Sequence, residues 1–311
     1  MHLKFLSNGV EFFKAVHNFV MGLLPRRQRL AYLHWQMLGE WPDLDNPRRF
    51  NEKLCWRKLY DHNPLFPVTA DKVLVRDYVA DRVGAQYLTR IYGVFEDPDQ
   101  IDFTSLPGAF VLKANHGCGW TRLVPDKSSV DWAELKALGK SWLTQRYDRL
   151  GGEWWYGAIQ PKLLIEEFLR DKKGKPPDDY RFWVFGGEVA MIQAEIDKFS
   201  NWRRNYYDTR WRRLPQVSSR VPHGEDIPRP ATFDTMLGLA SELGADFDFV
   251  RVDLYEVPDR VVFGELTHCS GSGWAPFSDP SYDEYLGQLM KLPLDRRPAP
   301  DHIFLREKRP R

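Results

Sequence analysis

The chain has 311 residues, 43% hydrophobic and 28% charged, with a formal net charge of +1. That length accommodates two or three compact lobes, and a near-neutral charge argues against nucleic acid as the main partner. Three scattered cysteines, Cys55, Cys118 and Cys269, give neither a disulfide framework nor zinc spacing, so a reducing cytoplasm is the expected compartment.

No stretch approaches the ~20 apolar residues that span a bilayer. Residues 9–24 set Val10, Phe12, Phe13, Val16, Phe19, Val20, Leu23 and Leu24 among Glu11, Lys14, His17 and Asn18, ahead of Arg26, Arg27 and Arg29. The pattern reads as an amphipathic helix; a basic leader and a small-residue cleavage site are both missing, so no signal peptide is expected. Docking on the protein's own core is the first expectation, and peripheral contact with an anionic membrane surface is the second. Phe50-Asn51-Glu52-Lys53 opens a helix that runs to Leu59 and stops before Asn63-Pro64.

Within Thr69 to Gly84 a helix is expected, with Lys72 at its start, Val73, Val75, Val79 and Val83 marking much of one face and Gly84 as a stop signal. A phosphate there would welcome both the amides and the lysine, although a solvated lysine satisfies the local pattern as well. Gly108 to Val124 reads as strand, glycine loop, strand. Lys113 ends the first strand, and His116, Gly117, Cys118 and Gly119 form a loop whose amides suit phosphates, with a plain tight hairpin as the alternative. No Gly-Lys-Ser/Thr follows, so this is not a P-loop. Residues 130–150 form a helix rich in Leu and Trp. Lys162 to Asp171 is a buried strand running into Glu166-Glu167-Phe168-Leu169, an inter-lobe hinge whose backbone would meet an adenine.

Asp178 to Gln193 is a hairpin turned by Gly186-Gly187, with Asp179, Arg181 and Trp183 on one face. Residues 201–213 interleave arginines with aromatics, which fits a charged sheet edge, a substrate contact or a single strand of nucleic acid. A Pro-rich loop, Pro222 to Pro230, leads to a helix over Thr232–Leu243. Residues 250–273 then form two strands around Pro258-Asp259. Period two puts Arg251 and Asp253 on one face and Val250, Val252 and Leu254 on the other, and it pairs Glu265 with Thr267. Two carboxylates beside a guanidinium are what magnesium and a transferred phosphoryl group require; a surface hairpin with a solvated ion pair is the plainer reading.

The ordered set of Phe50-Asn51-Glu52-Lys53, Asp71-Lys72, Phe110-Val111-Leu112-Lys113 with Asn115-His116-Gly117, Pro177-Asp178-Asp179-Tyr180, Asn205-Tyr206-Tyr207-Asp208, Phe249 to Asp253 and Phe263 to Thr267 resembles the TupA-like branch of the ATP-grasp superfamily, over roughly residues 48–290. The resemblance implies an α+β, ATP-grasp fold of two lobes clasping ATP, with an N-terminal helical extension. Its parts would be a helical segment 1–65, a central lobe 66–165, a C-terminal lobe 166–293 and a tail 294–311. It also implies an ADP-forming carboxylate–amine ligase of cell-surface polysaccharide or peptidyl-sugar assembly. Such an enzyme joins a small-molecule or glycan-linked carboxylate to an amine through an acyl phosphate.

Carried over residue by residue, Lys72 and Lys113 would hold the phosphates under a loop of His116, Gly117 and Gly119. Glu166, Glu167 and Leu169 would line the adenine, and Arg181 would contact a phosphate or carboxylate. Asp253, Glu265 and Thr267 would hold Mg2+, Arg251 and Lys113 would be catalytic, and Ser270, Gly271 and Ser272 would meet the substrate. Thr267 replaces the asparagine of the wider superfamily. A phosphotransferase on a hydroxyl acceptor and a non-catalytic nucleotide- or glycan-binding protein remain the alternatives. A Cys269–His268 hydrolase is disfavoured, because neighbours on a strand face opposite ways.

Overall fold

The structure is a computed structural model that describes residues 21–293 apart from Gln216, Ser219 and Asp259. Residues 9–20 of the amphipathic segment, Asp259 of the hairpin turn and the tail 294–311 lie outside the described residues. No described helix is long and apolar enough to cross a membrane.

Two antiparallel sheets organise the chain. The smaller contains β1 (Ile91–Phe95), β2 (Phe110–Ala114), β3 (Thr121–Val124) and β4 (Leu163–Glu167) in the order β1-β4-β2-β3. Alternation decides its faces. Phe110, Leu112, Ala114, Leu163 and Ile165 bury against Leu135 and Trp142 of a helix, Trp132–Thr144. Val111, Lys113 and Glu166 turn to the opposite side.

The larger sheet contains β5 (Asp179–Phe185), β6 (Glu188–Ile196), β7 (Arg203–Tyr207), β8 (Val250–Val257) and β9 (Arg260–Thr267) in the order β7-β6-β5-β8-β9. Gly186 and Gly187 turn the β5–β6 hairpin at φ +57° and +87°, conformations that side chains disfavour. One face carries Phe182, Val184, Ile192, Ala194, Val250, Val252 and Leu254, all fully buried. The helix Phe233–Gly244 supplies Phe233, Met236, Ala240 and Leu243 to the same core. Each fully buried aliphatic or aromatic side chain stabilises by about 1.5–3 kcal/mol, so this face fixes the register of the sheet. The polar face is thereby committed to the other side.

The N-terminal helices are built into the larger lobe. We label Arg26–Leu38 α1, Phe50–Tyr60 α2, Leu65–Ala70 α3 and Val75–Arg82 α4. Phe50, Phe66, Val75 and Val79 share the core of the five-stranded sheet, whereas the four-stranded sheet has a separate core drawn from residues 101–165. Of the segment 66–165, residues 66–82 and 154–159 thus pack with the larger lobe. In α2, Arg57 and Lys58 are fully buried. Arg57 donates to the Phe249 carbonyl at 3.0 Å and pairs with Asp248 at 2.5 Å. Lys58 donates to the carbonyls of Gly151 and Ser272 and lies 3.6 Å from the centre of the Trp274 ring.

The helix expected to start at Lys72 begins three residues later, as α4 at Val75, after a turn that separates it from α3. Asp71 takes an extended conformation, and its carboxylate accepts the amides of Val73 and Leu74, so the chain turns there. Lys72 therefore sits on a turn between helices. The strand expected over 162–171 stops at Glu167. With Trp132–Thr144 as α5, Asp148–Gly151 as α6 and Phe233–Gly244 as α7, the last helix is α8, Pro280–Leu289; β1 and α8 were not foreseen.

Candidate functional site

A cavity of about 850 Å³ lies between the two sheets, at the upper end of the range for small-molecule sites. One wall is the inner face of β2 and β4; the other is the polar face of the large sheet. Register assembles that face. Arg251 is opposite Thr267, Asp253 is opposite Glu265, and Arg181 on β5 is opposite Asp253. On β6, Gln193 is opposite Arg181 and Glu195 is opposite Asp179. Arg204 on β7 completes the row beside Glu195.

The charges interlock. Arg251 donates to both oxygens of Asp253, at 2.7 and 2.6 Å, to Glu265 at 3.1 Å and to Thr267 Oγ1 at 3.0 Å. Arg181 lies 2.7 Å from Asp179, 3.2 Å from Glu195 and 3.4 Å from Asp253. Asp253 is 2% exposed; burial pushes its carboxyl upward, the Asp179 charge adds to that, and the two guanidiniums oppose it. Burial also disfavours the Glu265 anion, but Lys72, Arg251, Arg181 and Lys198 outweigh it and hold the carboxyl down at about 2.

On the opposite wall, Lys113 pairs with Glu166, which also accepts from Thr89 at 3.2 Å. Glu166 thus lines the cavity while paired with a lysine. Glu167 reaches across the lobes to Arg260 at 2.7 Å, and its amide donates to the Arg90 carbonyl at 2.9 Å. Phe168 and Leu169 follow it along the cavity wall. Lys72 donates to the Gly117 carbonyl at 2.5 Å. Fully buried Asn115 ties the root of the glycine loop to the Lys72 turn: its amide donates to Asp71 at 3.0 Å, and its oxygen accepts the Lys162 amide at 2.7 Å.

Not every sequence candidate reaches the cavity. Cys118 and Gly119 line it, whereas His116 turns inward, 2% exposed, with its ring 4.8 Å from Trp120. Gly117 supplies only the carbonyl held by Lys72. Ser270 and Gly271 border the cavity, but Ser272 turns back to donate to Glu153 at 2.7 Å. Thr267 shares the face of Glu265 yet is engaged by Arg251 and donates to Glu265 at 3.3 Å. His268 and Cys269 lie in the core; His268 Nε2 is 2.8 Å from Thr69 Oγ1. Sequence reading missed Thr89, Gln193, Glu195 and Arg220, all near or on the walls. The alternation in Gln193-Ala194-Glu195 was the available signal for β6, because both polar residues share a face with Arg181.

A family model described as TupA-like ATPgrasp matches residues 52–291. The chain belongs to the TupA-like ATP-grasp family. No curated protein matches it. Among solved structures, it is 13% identical to D-alanine–D-alanine ligase from Bacillus anthracis complexed with ATP, over 64% of this chain and 53% of that one, with a TM-score of 0.38. It is 15% identical to the ATP-grasp ligase PsnB complexed with precursor peptide PsnA2 and AMPPNP, over 79% of this chain and 65% of that one, with a TM-score of 0.39. It is 11% identical to the ADP complex of purK, N5-carboxyaminoimidazole ribonucleotide synthetase, over 64% and 45% of the two chains, with a TM-score of 0.41. The alignments thus span less than two thirds of those chains.

In this TupA-like ATP-grasp chain the donor set fits a magnesium ion bound together with phosphates. Asp253 and Glu265 converge on one cationic position, which the Arg251 guanidinium occupies here. Among the described residues no cluster of three or more His, Cys, Asp or Glu side chains could hold a metal by itself. Two hard carboxylates with phosphate oxygens completing the shell match how magnesium is bound.

Proposed function

We propose that the chain is an ATP-dependent, ADP-forming carboxylate–amine ligase. Its pathway would be cytoplasmic assembly of a cell-surface polysaccharide or peptidyl sugar. The observation that carries this reading is one cavity with Lys72 and Lys113 on one wall and Asp253, Glu265 and Arg251 on the other. Lys72 and Lys113 would neutralise the phosphates of ATP, Glu167 to Leu169 would border its base, and Asp253 and Glu265 would hold Mg2+. That ion would supply charge neutralisation between the terminal phosphates.

A carboxylate oxygen then attacks the terminal phosphorus, the bond to ADP breaks, and the acyl phosphate forms. An amine attacks the acyl carbon, inorganic phosphate leaves, and the amine nitrogen gives up a proton. Arg251, permanently charged, suits the oxygens that gain charge in both steps. Ser270 and Gly271 would border the acceptor. Closure of the Cys118–Gly119 loop would keep water from the acyl phosphate.

The test is product analysis with ATP, magnesium, amino acids, uronic acids and amines. ADP and inorganic phosphate are expected, both dependent on the presence of a carboxylate and an amine. ADP with phosphate retained on the substrate identifies a kinase, and AMP with pyrophosphate removes the acyl-phosphate route. Nucleotide binding without turnover on any acceptor identifies an accessory protein.

A further inference from the structure

The far end of the cavity, toward β7, is built from residues that the roles above leave unused. Five of the seven cationic side chains lining the cavity are paired with carboxylates: Lys113 with Glu166, Arg181 and Lys198 with Asp179, Arg204 with Glu195, and Arg251 with Asp253. Lys72 and Arg220 differ, each donating only to a carbonyl among the described residues. Lys72 stands at the glycine loop. Arg220 stands elsewhere, on the segment that crosses from β7 toward the turn after β9. Its chain is held by the Arg204 amide donating to the Pro222 carbonyl at 3.0 Å and by the Ser278 amide donating to the Val217 carbonyl at 3.0 Å.

Arg220 Nη2 donates to the Trp274 carbonyl at 2.6 Å, which leaves four other N–H donors of its fork. Arg204 lines the same cavity, fixed by Glu195 at 2.6 Å and lying 5.4 Å over the Trp202 ring. Burial and the Arg204 charge both hold the Arg220 pKa below that of a free guanidinium. Bidentate capture of carboxylate or phosphate is the chemistry that the remaining donors of Arg220 offer, and Arg204 adds positive charge to the same cavity. Trp202 and Phe199, 41% and 62% exposed, add open ring surface beside this end of the cavity, as ligand-binding grooves do.

We infer that Arg220, backed by Arg204, is a second anion subsite that takes a carboxylate or phosphate group of the organic substrate, distinct from the carboxylate that reacts beside Arg251. The substrate class is then an organic acid bearing a further anionic group. The inference rests on the ligase reading of the same cavity.

The test is calorimetric titration of the full chain, first with magnesium and AMPPNP. The AMPPNP-saturated protein is then titrated with D-glucuronic acid 1-phosphate, D-glucuronic acid and D-glucose. The phosphorylated acid should bind at least tenfold more tightly than the unphosphorylated one. Arg220→Ala should erase that advantage, Arg220→Lys should restore part of it, and neither should change AMPPNP affinity. Melting curves matching the wild type will show that both variants fold. A wild type that binds the three sugars equally or not at all, or an Arg220→Ala protein that keeps the ranking, overturns the subsite while AMPPNP binding upholds the nucleotide site. Arg220-dependent binding of the phosphorylated acid without AMPPNP binding upholds the subsite and removes the ligase reading.

Discussion

Glu153→Gln should stabilise the protein at pH 8 far more than at pH 5. Glu153 is 3% exposed and accepts from Ser272 Oγ at 2.7 Å, beneath the turn that borders the cavity. Burial pushes its carboxyl up from 4.5 to about 7, and the Ser272 hydroxyl, Lys58 and Arg251 offset only part of that. The folded pKa lies above the unfolded one, so between the two values the unfolded chain binds fewer protons. Stability therefore falls as pH rises from the unfolded value through the folded one, and it stays low above. At about 1.4 kcal/mol per pKa unit the full penalty is roughly 3 kcal/mol, of which roughly 2–3 kcal/mol develops between pH 5 and pH 8. Glutamine keeps an oxygen for Ser272 and cannot ionise. Urea unfolding of both proteins at the two pH values gives the difference between them, and titrations elsewhere in the chain cancel. A difference that does not change with pH would refute the reasoning, because Glu153 would then titrate alike in the folded and unfolded states.

Three further outcomes are expected. Arg251→Met strips the bidentate partner from buried Asp253, so it should lower unfolding free energy by about 3–5 kcal/mol as well as turnover; Lys113→Met should chiefly weaken AMPPNP binding, and an Arg251→Met protein with wild-type urea midpoint would contradict this. In turnover against magnesium concentration, Thr267→Asn should stay active, since an amide keeps an acceptor for Arg251, whereas Glu265→Gln should nearly abolish activity; equal loss in both would give the hydroxyl a separate role. Gly287→Ala on α8 should cost about 1–3 kcal/mol, because a Cβ there meets the Arg48 carbonyl and Arg49 Cα, backbone atoms that cannot rotate away; an unchanged urea midpoint would show that α8 can shift.

The face of each strand was legible because the side-chain period is two. Arg251 and Asp253 against Val250 and Val252, and Asp179 and Arg181 against Tyr180 and Phe182, are separated by alternation alone. The glycine turn at Gly186-Gly187 was legible for a similar local reason. What alternation cannot supply is the neighbour. The partner of Glu166 was not legible: β4 lies beside β2, and that carboxylate pairs with Lys113. His116 looked like part of an open loop, yet Trp120 folds over it. The helix expected from Lys72 starts at Val75 instead, because the Asp71 carboxylate accepts the Val73 and Leu74 amides, a competition that hydrophobic spacing does not register.

By itself, then, the sequence determined the two β-rich units, the polar and apolar sides of β8 and β9, and an ordered set of motifs that resembled one ATP-grasp branch. All three depend on short-range pattern or on residue order. Only the tertiary structure decided that α2 to α4 pack with the large sheet, that Lys58 and Glu153 meet the turn at Ser272, and that Glu153, Arg204 and Arg220 border or underlie the same cavity. The contacts behind those placements join distant positions, such as Lys58 with Ser272, 214 apart, and Glu153 with Ser272, 119 apart. Such pairs are set by burial and register across the whole chain, and no local window contains both partners.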